Sequence, residues 1–397
     1  MSLVDFAYFD CDNHFYESPD AFTRHIEPHL AKRAMQWVTV NGRQRLMVAE
    51  KINRFIPNPT WDPVSKPGQL DEYFRGRNPK GAGTRELFGE LDRLADRPEY
   101  QNRDARLALM DAQGMGAAIF LPTLGVGMEQ PLLHDPEALV GAFRAFNRWM
   151  NEDWGFNHLD RIYAAPIFTL VDPNAAVAEL EWALDQDARF LLLLPGPIMT
   201  ASGGRSPSDP IYDPFWQRIN DAGATVVIHG GDSWYTQYLK DWNDTRVFEA
   251  FRQNAFRSLV SASAVQDTFA NLLSNHHFHR FPNLRIAAVE TGSDWVFHLH
   301  DKLTKVYGQI PMAFPEDPRE TFRRHVWVSP YYEEDFGALR KMIGTDHIIM
   351  GSDYPHAEGL ADPSAYIKDL RNNGFSDDDA KLIMADNGYA LAQRRPV

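Results

Sequence analysis

A chain of 397 residues with 44% apolar content can bury a large core, and one barrel-sized domain with insertions fits it better than three small domains. A net charge of -14 argues against a nucleic-acid or acidic-membrane partner, the basic pairs Arg323-Arg324 and Arg394-Arg395 being too short to reverse that field. The single Cys11 excludes intrachain disulfides and thiolate metal clusters. Acidic Asp5 and Asp10 stand where a signal peptide would be apolar, and no window approaches a membrane span, so a soluble cytoplasmic protein is expected.

The first apolar run, Asp5–Asp12, reads as a buried strand that delivers Asp10-Cys11-Asp12-Asn13-His14 at its C-terminal tip. The strand period of two turns Asp12 and His14 toward one face. From about Ser18 to Asn102 the pattern breaks into Pro, Gly, Arg and aromatic residues, with turn signals at Asn58-Pro59, Lys66-Pro67-Gly68 and Asn78-Pro79-Lys80-Gly81. Residues 18–102 are therefore expected as an insertion over the barrel mouth. Trp37, Phe55, Trp61, Tyr73 and Phe74 give this arm apolar surface to bury against the barrel or a second subunit, which predicts a homodimer.

Seven further runs follow: Ala117–Leu121, Arg161–Phe168, Arg189–Pro195, Thr225–Gly230, Leu284–Glu290, His325–Tyr331 and His347–Asp353. Their continuous apolar interiors fit strands covered on both faces. Helical patterns at Arg103–Gln113, Asp135–Asn157, Asn174–Asp187, Ile211–Gly223, Phe248–Leu273, Trp295–Tyr307, Glu333–Met342 and Asp377–Gln393 alternate with them. Ser376 with Asp379 forms a capping-box arrangement before the last. This rhythm predicts an α/β fold, a single (β/α)₈ TIM barrel over residues 1–397. A doubly wound sheet is the rival, but no Gly-rich phosphate turn is completed at Gly114-Met115-Gly116 or Gly125-Val126-Gly127.

Barrel active sites lie at the C-terminal strand ends. There the first strand supplies Asp12 and His14, the fifth His229, the sixth Glu290 and the eighth Asp353. Two imidazoles and several carboxylates suit one divalent ion, Zn²⁺ or Mn²⁺, with Fe²⁺ possible. Singly, each residue has a structural reading: a hydrogen-bonded core histidine, or an acidic helix cap at Asp353 or Glu290. Their coincidence on one face favours the metal. His276, His277 and His279 precede the sixth strand, on the stability face, and are left out.

The segments Asp12-Asn13-His14, His229-Gly230, His279–Trp295 (HRFPNLRIAAVETGSDW) and Gly351–Gly359 (GSDYPHAEG) resemble the amidohydrolase-related family that contains aminocarboxymuconate-semialdehyde decarboxylase and resorcylate decarboxylases. The resemblance spans nearly the whole barrel. It implies metal ligands at Asp12, His14, His229 and Asp353, and an acid/base position at Glu290. The family more commonly has His or Glu where Asp12 stands, and His where Glu290 stands.

Three functions follow. A metal-dependent hydrolase of a small or medium organic acid with aromatic or conjugated character is placed first, with Asp353 and Glu290 exchanging the proton. The family resemblance implies the second, nonoxidative decarboxylation of an aromatic or muconate-like acid. The third is a metal-free barrel that binds a small molecule without turning it over. Glu290 either ligates the ion, which would favour Mn²⁺ or Fe²⁺, or, as is preferred, stands off it with a pKa raised by burial near Asp12 and Asp353. Trp234, Tyr235, Trp295, Tyr331, Tyr332 and Tyr354 are candidates for an apolar mouth, and Arg106 or Arg54 for a substrate carboxylate. Glu17 and His356 are candidates for contact with substrate or with a ligand.

Overall fold

Seven parallel strands, β1 (Tyr8–Phe15), β2 (Met115–Pro122), β3 (Ile162–Ala164), β4 (Phe190–Leu193), β5 (Thr225–His229), β6 (Arg285–Val289) and β7 (Val326–Val328), form most of a ring in the computed structural model. The structure describes residues 2–56, 58–78, 80–200, 203–231, 235–244, 254–260 and 263–393. Strands β1, β2 and β3 pair in sequence, as do β4 to β7. Between β3 and β4 the ladder continues through an Ile167–Leu192 bridge, with Leu192 N donating to Pro166 O at 2.9 Å.

The predicted eighth strand is not a regular strand. Ile348 bridges to Val328, after which the backbone leaves the β7 ladder and turns to the first strand. There Cys11 N donates to Met350 O at 2.9 Å and Asp353 N to Asp12 O at 2.8 Å. The departure coincides with a close approach of backbone. A Cβ at Gly351 would lie 2.5 Å from Ser329 Oγ and 2.7 Å from Asp12 Cβ, and Asp353 takes a left-handed φ of 54°. The ring is closed all the same, which makes this a TIM barrel.

Helices Pro136–Asp153, Pro173–Asp185, Asp213–Ala222, Ser263–Ser274, Asp294–Gln309 and Phe336–Ile343 follow the strands and cover the outer face. Asp172 caps the second of these, its side chain accepting from Asn174 N and Ala175 N at 3.0 Å. The Ser376–Asp379 capping box is formed, and its helix runs on to Ala392 through a π turn at Leu382–Asp386. The predicted Phe248–Leu273 helix is described at Ala255–Val260 and from Ser263; its other residues lie outside the described ones.

The insertion carries an antiparallel hairpin, Met35–Val40 with Arg43–Val48, whose Asn41-Gly42 turn has φ of 51° and 73°. Its later part reaches the C-terminal ends of the strands. Trp61 stacks on Tyr16 with ring centroids 4.3 Å apart, and Leu70 N donates to Ala357 O at 2.8 Å.

Candidate metal centre

Between Asp10 and Asn13 the pairing of β1 with β2 slips: Asp10 faces Ala118 and Asn13 faces Phe120, so the first strand carries one extra residue there. Such a bulge re-aims side chains at a barrel rim. Here it accompanies a buried Asp12 and His14 beside the tip of β5, where His229 is also buried. His14 Nε2 lies 3.1 Å from Asp12 Oδ1, 3.4 Å from Glu290 Oε2 and 3.4 Å from Asp353 Oδ1. His229 Nε2 lies 2.9 Å from Glu290 Oε2 and 3.6 Å from Asp12 Oδ1. Five predicted residues from four staves of the barrel therefore meet.

They meet as two overlapping groups. Asp12, His14, His229 and Glu290 form one, and His14, Glu290, Asp353 and His356 the other, with the potential ligand atoms of each within 4.8 Å of one another. Glu290 and Asp353 both have left-handed backbone, φ 50° and 54°, a conformation costly for residues with a Cβ and common at functional sites. Gly230 gives Glu290 room: a Cβ there would approach Glu290 O to 2.6 Å.

The donor set fits a divalent cation. His229 Nδ1–H donates to Gly230 O at 2.6 Å, which leaves the Nε2 lone pair facing the cluster. That Nε2 is buried and lies 2.9 Å from Glu290 Oε2. Against burial, which would lower it, Glu290 and Asp12 push the His229 imidazole up to about 10. Carboxylates that concentrate this much positive charge around themselves suit a dication. Two imidazoles with carboxylate oxygens form a ligand set for Zn²⁺, Mn²⁺ or Fe²⁺.

Of the two readings of Glu290, its place within the first group agrees with a ligand. Burial alone would raise its pKa, but His229 and His14 hold its carboxyl well below the usual range. Asp353 goes the other way. Burial, then the charge of Glu290, pushes its carboxyl well above the ordinary value.

Asp353 is coupled to His356, whose Nδ1 lies 2.5 Å from Asp353 Oδ1. Thr123 Oγ1 donates its one proton to Phe15 O at 2.9 Å, so at 3.0 Å from His356 Nε2 it accepts. With Nε2 protonated, His356 Nδ1 and Asp353 Oδ1 share one proton across their contact. The His356 ring also lies 4.1 Å from that of His14.

Glu17 does not enter the cluster. It is buried, and its Oε1 accepts from Leu124 N at 2.7 Å and Gly125 N at 3.1 Å, pinning the turn after β2. Burial pushes its carboxyl up to about 7. A carboxyl raised on folding contributes stability that is fully present below its unfolded pKa and lost as pH rises through about 7. Glu17→Gln keeps the Oε1 acceptor and removes the titration. In urea melts the variant is expected to match the wild type near pH 4.5 and to exceed it at pH 8 by about 1–3 kcal/mol.

Trp295 is corrected from mouth to core. It is 1% exposed, stacked on Phe269 at 5.0 Å and edge-on to Phe322 at 5.9 Å, with Nε1 donating to Gly292 O. The four-residue spacing of Trp295, Leu299 and Leu303, all buried on one helix, is the signal that marks it as a packing residue. Trp295→Ala is expected to cost about 3–5 kcal/mol in denaturant melts and to leave KM unchanged.

Arg106 and Tyr354 are likewise buried away from the mouth, the guanidinium 5.4 Å from the Tyr354 ring. Tyr331 and Tyr332 do line a cavity of about 180 Å³ beside the cluster, with Phe74 of the insertion, Pro330 and Glu358. Trp234 lies outside the described residues. Thr123, Ser352 and Glu358 were not singled out by sequence. Ser352 and Glu358 sit in the Gly351–Gly359 motif; Thr123 had only its place after the second strand to mark it.

A family model described as Amidohydrolase matches residues 9–391. The chain belongs to the amidohydrolase family. An amidohydrolase, map2389c, from Mycobacterium avium subsp. paratuberculosis K-10 shares 41% identity with this amidohydrolase over 98% of both chains, with a TM-score of 0.92. The fold is also similar to a 2,6-dihydroxybenzoate decarboxylase from Rhizobium, at 18% identity, 83% of this chain and 96% of that one, and a TM-score of 0.57. A dihydroxybenzoic acid decarboxylase from Polaromonas sp. JS666, with bound manganese and the inhibitor 2-nitroresorcinol, matches at 14% identity over 98% and 97%, also with a TM-score of 0.57. Among the curated proteins none matches this chain. Family membership and the clustered ligands together make this amidohydrolase an enzyme with a metal site.

Proposed function

We propose that this amidohydrolase is a metal-dependent hydrolase of a small or medium organic acid with an aromatic or conjugated body. Asp12, His14, His229 and Glu290 would hold one Zn²⁺ or Mn²⁺, with Asp353 beside it. The observation that carries hydrolysis ahead of decarboxylation is the position of Glu290. Its Oε2 lies 2.9 Å from His229 Nε2 and 3.4 Å from His14 Nε2, among the ligand atoms, so as a ligand the sixth-strand position offers no proton to a carbon. When bound, the cation supplies Lewis acidity and lowers the pKa of a water molecule. Asp353, which the charge of a bound cation would hold ionised, takes a proton from the attacking water and returns it to the leaving group.

The cavity supports the substrate class. Tyr331, Tyr332 and Phe74 offer apolar faces, and the described lining contains no Lys or Arg. A substrate carboxylate would therefore find its counter-charge at the cation. The aromatic acids named for the decarboxylases of similar fold support the same body. One observation favours decarboxylation as a second reading: Glu358, pushed up to about 8 by burial and the nearby Glu290, lines this cavity as a protonated acid at neutral pH. The exposed apolar residues Val40, Ile52, Phe74 and Leu91 of the insertion support a homodimer through this arm.

Metal-loaded protein incubated with ester, amide and C–C cleavage substrates and with carboxylated phenols tests the assignment. Hydrolysis without CO₂ release is expected. CO₂ formation lost in Glu358→Gln or Glu290→Gln would reject it. Less than about 0.1 equivalent of metal per chain, with none regained on reconstitution, would instead favour the non-catalytic barrel.

A further inference from the structure

Beneath the cluster lies a closed circuit of buried polar groups that supplies neither ligand nor acid. Asp10 is fully buried and accepts four hydrogen bonds: Oδ1 from Ser352 N at 3.0 Å and Asp12 N at 3.1 Å, Oδ2 from Ser352 Oγ at 2.5 Å and Asn13 Nδ2 at 2.8 Å. Asn13 presents its amide oxygen the opposite way, to Arg106 Nη1 at 2.5 Å. Only one orientation of this amide satisfies both charged neighbours, carbonyl toward the guanidinium and NH₂ toward the carboxylate. The Arg106 side chain donates Nε–H to Glu99 O at 2.8 Å and lies 5.2 Å from the Phe120 ring and 5.4 Å from the Tyr354 ring. Ser352 Oγ in turn accepts from Tyr354 N at 3.1 Å. The circuit thus runs Arg106, Asn13, Asp10, Ser352, Tyr354 and back to Arg106.

The residues it fixes are neighbours of the cluster. Asn13 lies between Asp12 and His14, and Ser352 and Tyr354 flank Asp353. Asp10 also holds the amide of Asp12 within the bulge. We propose that Arg106, Asn13, Asp10 and Ser352 form a buried strut that presets Asp12, His14 and Asp353 for metal binding, with Arg106 and Ser352 as its positioning residues. This rests on the reading of the cluster as a metal site. Arg106 and Asp10 are charged, and Asn13 is a dipole aligned between them. Removing any one member leaves a buried group unsatisfied and lets the ligand-bearing backbone relax.

The test is metal affinity, which loss of general stability alone does not move. Ser352→Ala, Asn13→Ala and Arg106→Met are titrated with Zn²⁺ and Mn²⁺ in competition with a chromophoric chelator, with circular dichroism recorded on each. Phe269→Leu, a core change outside the strut, serves as the control for stability. The expected result is a native dichroism spectrum with affinity weakened about 10–100-fold in the three strut variants and unchanged in the control. Should Arg106→Met fail to fold, Ser352→Ala decides, since it removes one hydroxyl. Wild-type affinity in folded Ser352→Ala and Asn13→Ala overturns the strut while the metal reading stands. A wild-type protein that takes up neither ion overturns both.

Discussion

Asp353→Asn is expected to lower turnover by about 10²- to 10⁴-fold while the protein still holds one equivalent of metal. The two halves of this result have separate causes. Asp12, His14, His229 and Glu290 form a complete group of four without Asp353, so the ion keeps its donors. The amide cannot accept a proton from the attacking water and return it. Turnover on the best substrate, read beside elemental metal analysis, checks both. Loss of metal in proportion to activity would make Asp353 a structural ligand and remove it from proton transfer. Because the Asn side chain matches the carboxylate in shape, the left-handed backbone at Asp353 is not otherwise perturbed.

His14→Ala should have a still larger effect on metal binding. His14 belongs to both ligand groups, and its Nε2 lies within 3.4 Å of three carboxylates. Removing it leaves the carboxylates of the cluster in mutual repulsion in a buried space, with His229 the remaining imidazole of the first group. Metal affinity is expected to fall by at least about 10²-fold, and activity with it. Thermal melts give an independent measure. A metal at about 100 times its Kd stabilises the wild type by about 2.7 kcal/mol, and that increment should fall to about 0.4 kcal/mol or less in the variant. An increment that survives undiminished would place the ion elsewhere.

The chemistry of the strand tips was legible because barrel geometry converts sequence order into a face: residues ending the first, fifth, sixth and eighth apolar runs must meet. Asp12, His14, His229 and Asp353 could be read in this way without any knowledge of contacts. Glu290 was found, with its role as ligand or acid/base left open. Sequence reveals that a carboxyl is buried near other carboxyls, whereas the 2.9 Å approach of His229 decides its ionisation. Trp295 was misplaced because adjacency to a site residue outweighed its helical spacing with Leu299 and Leu303. The eighth stave was read as a strand from its apolar run at Ile348–Met350. At Gly351 the backbone passes so close to Asp12 and Ser329, both remote in sequence, that no side chain would fit there. The bulge after Asp10 left no signal, since an extra residue in one strand shows only against its partner.

Closure of the ring bears on when the enzyme can come into being. The seam joins the first stave to the last, with Asp10 bonded to Ser352 across 342 positions. Contacts of such separation carry a large loop-closure entropy and form late in folding. During synthesis Asp12 and His14 emerge early, and they wait for nearly the entire chain before their partners exist. A nascent or C-terminally shortened chain ending before residue 348 would already contain seven strands and two of the histidines, yet it would lack the stave that completes the site. Catalytic competence is thus tied to completion of the chain, and a partly made barrel holds an exposed seam rather than a half-active centre.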